Sequence, residues 1–415
     1  MATPEVLDLT SLDPQFTEDP YPFYETMRTD NPVRMVVMHG LPGWMVTRSE
    51  DIMTVLSDSR FSISTEYASP DLPRVPWLFG TGAMGLQKHL AAVDAPDHTR
   101  LRRLVGKVFT ARRVEQLRPS ITRIANGLLS TFIDRGEVEL LSQFAYPLAV
   151  TVISELLGAP EDQRADCIRW STTLVAGNAA DPAEAFSALT NMAGYITSLV
   201  DSKQPSSAPD ADLLSALVAA RDEGDKLTDE EVKSLAFQLL LAGFETSSVL
   251  IGNGMMALLE HPDQLKLLAE RPDLTVNAIE EFLRYDNPVD TAIPRFAKED
   301  IELGGAHIRA GDAIHFSLAS ANRDLPVDGD PGTLDITRGD IRHMGFAHGI
   351  HFCLGAPLAR LEGQIAFRTI LDNCTDLALA VDREQIKRKP SPFTRSLNRL
   401  PVTFVRRTAG DRKEF

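Results

Sequence analysis

The segment that most limits how this chain can fold begins at Thr228. Thr228-Asp-Glu-Glu231 has the spacing of a capping box, with acidic residues where the helix dipole favours them. An apolar pattern at Val232, Leu235, Leu239, Leu250 and Leu258 then runs to a stop at His261-Pro262. About 32 residues at ~1.5 Å each predict a rod of roughly 48 Å, long enough to cross the whole molecule. The rest of the chain must wrap around it. Its middle, Leu239-Leu-Leu-Ala-Gly-Phe-Glu-Thr-Ser-Ser248, is a poor choice for a buried helix. Gly costs ~1 kcal/mol against Ala there. A local rule broken inside a core helix marks a functional site.

Most of the remaining chain also has helical periodicity. Val33–Met38 and 44–47 flank a Gly/Pro turn and read as a hairpin. A second set of strand signals lies at 293–297, Ile301–Leu303, 307–309 and 313–318, with Gly304-Gly305 as a tight turn. The stretch 202–210 reads as a surface loop between helices. The expected fold is mainly α with a minor β portion assembled from distant segments. That argues for one domain over 1–415, with 1–17 loosely ordered and 408–415 a tail.

Hydrophobic residues make up 43% of the 415 and charged residues 24%, which excludes wholesale disorder and fibrous folds. Forty-two basic against 58 acidic residues give a net charge of −16, poorly suited to nucleic acid or an anionic membrane. Three scattered cysteines, Cys167, Cys353 and Cys374, form no disulfide framework and suit a reducing compartment. The first residues carry no apolar core, and no apolar run approaches the ~20 residues of a membrane span. A soluble, cytoplasmic monomer is expected.

The densest chemistry is His343-Met-Gly-Phe-Ala-His-Gly-Ile-His-Phe-Cys-Leu-Gly-Ala-Pro-Leu-Ala-Arg-Leu-Glu362. Glycines at 345, 349 and 355 permit close backbone approach. Cys353 precedes a helix signal with Pro357 in its first turn, so the helix N-terminus favours a thiolate there. Three readings fit these residues. Cys353 is an inert core cysteine. It joins His343, His348 and His351 in a zinc site, as in a zinc-dependent hydrolase. Or it is the axial ligand of a haem iron.

Phe346-x-x-Gly349-x-His351-x-Cys353-x-Gly355 resembles the haem-binding loop of the cytochrome P-450 family. Ala242-Gly243-Phe244-Glu245-Thr246 is similar to the family's oxygen-activating groove in its long central helix. Glu281-Phe-Leu-Arg284 matches its Glu-x-x-Arg pair, His98-Thr-Arg-Leu-Arg102 its propionate-binding helix, and Ala321-Asn-Arg-Asp324 a phrase of its actinomycete branch. The likeness runs from about Asp19 to Val405. It is to soluble actinomycete hydroxylases that tailor macrolides and other polyketides. There are departures: Ala347 stands where the loop usually has Gly, Glu245 where other branches have Asp, and Leu334 where Phe is usual.

The resemblance implies the cytochrome P-450 fold, with haem b between the long central helix and the cysteine loop and helix. Cys353 would be the axial iron ligand. Phe346, Gly349, Gly355, Ala242 and Gly243 would line the cofactor, with a helix bulge at Gly243 leaving room for dioxygen. His98, Arg102, Arg295 and His351 would hold the propionates. Glu245 and Thr246 would deliver protons, although Thr246 alone reads equally as a helical Thr bonding back to a carbonyl four residues earlier. Glu281 and Arg284, with Arg338, form a structural brace. Leu239, Val289, Ile293, Phe393 and Thr394 would contact substrate under a mobile apolar lid in 62–90.

The implied activity is a monooxygenase that hydroxylates or epoxidises a bulky apolar secondary metabolite. The alternative is a haem-thiolate protein that binds or senses a ligand without turnover. No flavin or iron–sulfur motif is present. A ferredoxin or flavodoxin with an NAD(P)H-dependent reductase would supply electrons. Arg100, Arg103, Lys107, Arg112 and Arg113 reverse the local charge and suggest where it docks.

Overall fold

The computed structural model describes residues 6–9, 14–79, 86–175, 182–206, 208, 212–222, 227–391 and 393–407. The long helix spans Asp229–Glu260, 32 residues. Its capping box is complete: Glu231 N–H donates to Thr228 Oγ1 at 3.2 Å, and Thr228 N–H to Glu231 Oε2 at 2.8 Å. The helix is long and apolar enough to cross a membrane by length and composition. Its place is the core, since 61% of its most apolar window is buried inside the protein. A helix apolar all round must be covered all round. Helices Tyr146–Leu156, Pro182–Ser202 and Ala356–Leu371 pack against it.

No bulge interrupts this helix at Gly243. A Cβ there would lie 2.9 Å from the Ile153 side chain. The missing side chain lets helix Tyr146–Leu156 approach, so Gly243 makes room for Ile153, and the expectation of a bulge is corrected.

The β portion is assembled from distant segments. A six-stranded sheet has the order Leu7–Asp8, Val33–Met38, Leu41–Val46, Ala313–Phe316, Arg295–Ala297, Phe61–Ser62. The hairpin's second strand starts at Leu41, before the predicted 44–47. The turn is His39–Gly40, with φ of 46° and 80°, the left-handed pair a two-residue hairpin loop requires. Gly304 and Gly305, at φ 54° and 83°, close the hairpin of Ile301–Leu303 and Ala306–Ile308 in the same way. A three-stranded sheet joins Cys374–Leu379, Pro401–Arg406 and Glu137–Glu139.

Within 1–17, expected from the sequence to be loosely ordered, residues 6–9 and 14–17 are described. Leu7–Asp8 pairs in parallel with Val36 and Val37, Pro14–Glu18 is helical, and Leu9 is buried. Residues 1–5, 10–13 and 408–415 lie outside the described residues. The 202–210 loop falls between helices Pro182–Ser202 and Leu213–Asp222, with 207, 209 and 210 likewise outside.

Candidate functional site

A cavity of about 290 Å³ lies between the middle of the long helix and the loop bearing Cys353. The loop is shaped by its glycines. Gly349 has φ 71°, and a Cβ on it would lie 2.5 Å from the Leu56 carbonyl oxygen. One 3-10 turn, Gly349–His351, follows, and Cys353 N–H donates to the Phe346 carbonyl at 3.0 Å. Helix Ala356–Leu371 then begins, with proline in its first turn. Burial pushes the Cys353 thiol up, while N–H groups of Gly355 and Ala356 and the charge of Arg102 pull it down. Burial wins, so a thiolate at this place needs a cation in the cavity, and a metal ion bound to sulfur supplies one.

Zinc is not that cation. The three histidines of the cluster point to different partners. His343 Nε2 lies 3.1 Å from Glu280, His348 is exposed, and the His351 ring stands 4.2 Å from that of His98. Among the described residues, no group of three or more His, Cys, Asp or Glu side chains converges as metal ligands. Glu280 has a further role that sequence reasoning missed. It accepts from Arg360 Nε and Nη2, both at 2.7 Å, and Arg360 lies 4.6 Å over the Phe346 ring. Burial raises the Glu280 carboxyl, but Arg360 and His343 outweigh it and hold it down to about 2. This network ties helix Thr275–Tyr285 to both ends of the cysteine loop.

One edge of the cavity carries two arginines and two histidines, with no carboxylate paired to them among the described residues. His98 is buried, with neither ring nitrogen bonded. Burial and Arg102 push its pKa down. His351 is pushed to about 3 by burial, Arg295 and His98. Arg295 is 4% exposed and held at about 10 by burial. It donates to the Ile293 carbonyl at 2.8 Å. Among the described residues, no carboxylate lies within ion-pair reach of Arg102 or Arg295. Buried polar groups of this kind are normally partnered. Two ligand carboxylates would satisfy them, and a porphyrin carries two. The donor set, the apolar walls and the single sulfur therefore fit haem.

Above the sulfur, Leu239, Ala242, Gly243 and Thr246 of the long helix line the cavity, with Val289 and Ile293 opposite. All six are residues singled out in the sequence, and the structure brings them to one cavity. Phe393 and Thr394 do not line it. Thr394 instead donates to Glu245 Oε1 at 2.7 Å. Glu245 likewise faces away from the cavity, and burial raises its pKa against the Thr394 hydrogen bond and Lys389. Thr246 donates to the Ala242 carbonyl at 2.7 Å, the back-bonded helical geometry. Its proton is used there, so it offers the cavity a lone pair. Gln238, which sequence reasoning missed, also lines the cavity and accepts from Leu90 N–H at 3.1 Å. The expected lid includes 80–85, outside the described residues. Of the expected basic face, Arg103, Lys107 and Arg112 are exposed, whereas Arg100 is paired with Glu231.

Ala347 has φ 59°, in the left-handed region. That conformation costs a residue with a Cβ roughly 1–2 kcal/mol. Gly removes the strain but returns ~0.4–1 kcal/mol of unfolded-chain entropy. Ala347→Gly is expected to leave the protein as stable or up to ~1 kcal/mol more stable. The denaturant midpoint at constant slope measures this. A clear loss of stability contradicts the strain.

Residues 150–401 match the family model described as Cytochrome P450. The chain is 44% identical over 400 residues to a vitamin D(3) 25-hydroxylase of Pseudonocardia autotrophica, covering 95% of this chain and 96% of that one. It is 43% identical to cytochrome P450 monooxygenase PikC of Streptomyces venezuelae, covering 99% and 97%. The solved structure of the Bacillus subtilis 168 bacillaene polyketide synthase cytochrome P450 PksS superposes with a TM-score of 0.85 at 36% identity, covering 95% and 99%.

Proposed function

The chain belongs to the cytochrome P450 family of haem-thiolate monooxygenases, and from that premise we propose that it oxidises a bulky, largely apolar secondary metabolite of the polyketide type. The observation that carries this reading is the wall above Cys353. There Leu239, Val289 and Ile293 leave Gln238, Thr246 and Ser247 as the few polar groups. A pocket of this kind selects by shape and apolar burial, with its polar groups fixing orientation. The relative named for a polyketide synthase points to that substrate class, and the one named for vitamin D(3) to a bulky apolar molecule.

Bound haem supplies the oxidising chemistry, placing one atom of dioxygen in a C–H or C=C bond and releasing the other as water. Cys353 presents its thiolate to the iron, and the N–H groups of Gly355 and Ala356 moderate its donation. His98, Arg102, Arg295 and His351 hold the propionates by charge-assisted hydrogen bonds, each contributing roughly 1.5–3 kcal/mol. Thr246 accepts a hydrogen bond from water in the groove and so holds it, and Glu245 resupplies its proton after its side chain turns from Thr394 towards the groove. A ferredoxin or flavodoxin with its NAD(P)H-dependent reductase delivers two electrons, and Arg103, Lys107 and Arg112 offer it a basic surface.

The test is a panel of macrolactones and linear polyketides. A true substrate is expected to shift the haem spectrum to high spin, and its oxidised product is identified by mass. Thr246→Ala is expected to bind that substrate as wild type does. Product per reduced nicotinamide should fall several-fold and hydrogen peroxide should rise. The ceiling is the ~10²–10⁴-fold range of positioned acid–base catalysis, since ordered water substitutes in part. Unchanged coupling means Thr246 is only a helical residue, and a panel without spectral shift removes the substrate class.

A further inference from the structure

Glu245 does not face the haem cavity, so its protons must arrive from elsewhere. A second cavity, also of about 290 Å³, shares no lining residue with the first. Ser391 and Thr394 line it, and exposed Pro390 forms part of its rim. Polar and charged groups surround it, among them Glu18, Asp290, Arg388 and Arg395. A space lined this way holds water. Between this space and Glu245 stands one hydroxyl.

We propose that Thr394 is the proton inlet of this enzyme: its hydroxyl takes protons from water in the second cavity and passes them to the Glu245 carboxylate. The proposal rests on the reading that Glu245 feeds protons to the Thr246 groove. The geometry is specific. Thr394 Oγ1 lies 2.7 Å from Glu245 Oε1 and 3.1 Å from Ser391 Oγ. Ser391 Oγ accepts from the N–H groups of Phe393 at 3.2 Å and Thr394 at 3.0 Å. Both its lone pairs are thereby used, and because the single Thr394 proton goes to Glu245, the Ser391 proton serves the contact between the two hydroxyls. Thr394 then has one bond given, to Glu245, and one received, from Ser391. One lone pair remains for a cavity water. When a hydronium ion arriving from bulk solvent gives Thr394 a proton at that lone pair, Thr394 releases its own to the Glu245 carboxylate, which leaves a neutral water, a neutral hydroxyl and a protonated carboxyl, and rotation of the hydroxyl resets the bond.

The backbone holds this hydroxyl in place. Thr394 bridges Val289, Asp290 N–H donates to the Phe393 carbonyl at 2.8 Å, and Arg395 N–H donates to the Pro288 carbonyl at 3.0 Å. The other groups facing Glu245 are few. Lys389 of the same segment supplies positive charge, and Tyr146 faces it from helix Tyr146–Leu156. Lys389 itself lies 5.8 Å over the Tyr146 ring and feels Glu139. Neither replaces the hydroxyl. Burial disfavours a charged lysine there, and the Tyr146 phenol is pushed far above its usual range by burial and by Glu245.

The experiment compares wild type, Thr394→Val, Thr394→Ser and Ser391→Ala as holoproteins. The first readout needs no turnover. The infrared carbonyl band of protonated Glu245, identified by its loss in Glu245→Gln, is titrated with pH. A hydroxyl donating to the carboxylate favours its charged form. Thr394→Val should therefore move the midpoint up, Thr394→Ser should restore it, and Ser391→Ala should move it less. The second readout is coupling in H2O and D2O with redox partners. Thr394→Val should lower product per nicotinamide several-fold and enlarge the solvent isotope effect at unchanged substrate affinity, and Thr394→Ser should recover both. If Thr394→Val and Ser391→Ala leave titration and isotope effect as in wild type while Glu245→Gln uncouples, the inlet is wrong and the role of Glu245 stands. If Glu245→Gln couples normally, that role falls, and the inlet falls with it.

Discussion

The reduced, CO-bound protein is expected to show a strongly red-shifted Soret band, and Cys353→Ser to lose that band and monooxygenase activity with it. A serine hydroxyl stays protonated where a thiol ionises and donates far less electron density to iron, so the push towards O–O cleavage disappears. The substitution removes little else. The loop is shaped by Gly349 and by the Cys353 N–H bond to the Phe346 carbonyl, neither of which involves sulfur. The propionate cluster of His98, Arg102, Arg295 and His351 is untouched, so the variant should still take up haem and absorb light differently. The two other cysteines are the controls. Cys167 and Cys374 are 0% and 2% exposed, and burial pushes their thiols up to about 11 and about 12. Neither lines the haem cavity. Cys167→Ala and Cys374→Ala should keep the band and lose only stability. A wild-type spectrum from Cys353→Ser would end the assignment of the axial ligand.

What could be read beforehand and what could not divide along physical lines. The long helix was legible because its cap, periodicity and stop are all local, and Thr228 and Glu231 sit three residues apart. The glycine turns at 304–305 and the close approach at Gly349 were legible for the same reason. His98, Arg102, Arg295 and His351 come from separate segments, and only the family likeness joined them. The direction of Glu245 was not legible. Neighbouring helical residues project about 100° apart, and adjacent pairs such as Ala242–Gly243 and Thr246–Ser247 both reach the cavity, so periodicity alone does not tell that Glu245 faces elsewhere. Its partner Thr394 is 149 residues away. The same holds for Arg360 and Glu280, 80 residues apart, and for Gly243, whose meaning is a contact with Ile153. Thr394 was expected beside the substrate from the family likeness alone. Its bridge partner Val289 does line the haem cavity, but Thr394 lines the second cavity and gives its hydroxyl to Glu245.

Glu281→Gln is expected to be among the most damaging single changes away from the cavity, and to act through stability alone. Glu281 and Arg284 have side chains 0% exposed. Arg284 donates to Glu281 from Nε and Nη2, both at 2.7 Å, and Arg338 Nε adds a third bond at 3.2 Å. The Asp335 N–H is the fourth donor, at 2.9 Å. Arg284 reaches on to the carbonyls of Pro331 and Thr333, and Arg338 to those of Asp328, Asp330 and Thr333. One carboxylate is thus shared by two guanidiniums that grip the segment leading into the cysteine loop. Removing its charge leaves two buried cations against none, and breaking a buried pair this way costs roughly 3–5 kcal/mol. That is a large share of the ~5–15 kcal/mol by which a domain is stable. The midpoint of unfolding should drop sharply, and haem should be lost on mild heating before the helices melt, because the loosened segment is tied to the loop. Arg338→Met is the gentler companion. It removes one guanidinium, keeps the Glu281–Arg284 pair, and should lower stability by less while leaving the product profile unchanged. A Glu281→Gln holoprotein with a wild-type midpoint contradicts the brace. One with a wild-type midpoint and altered product regiochemistry would move Glu281 from the scaffold to the chemistry.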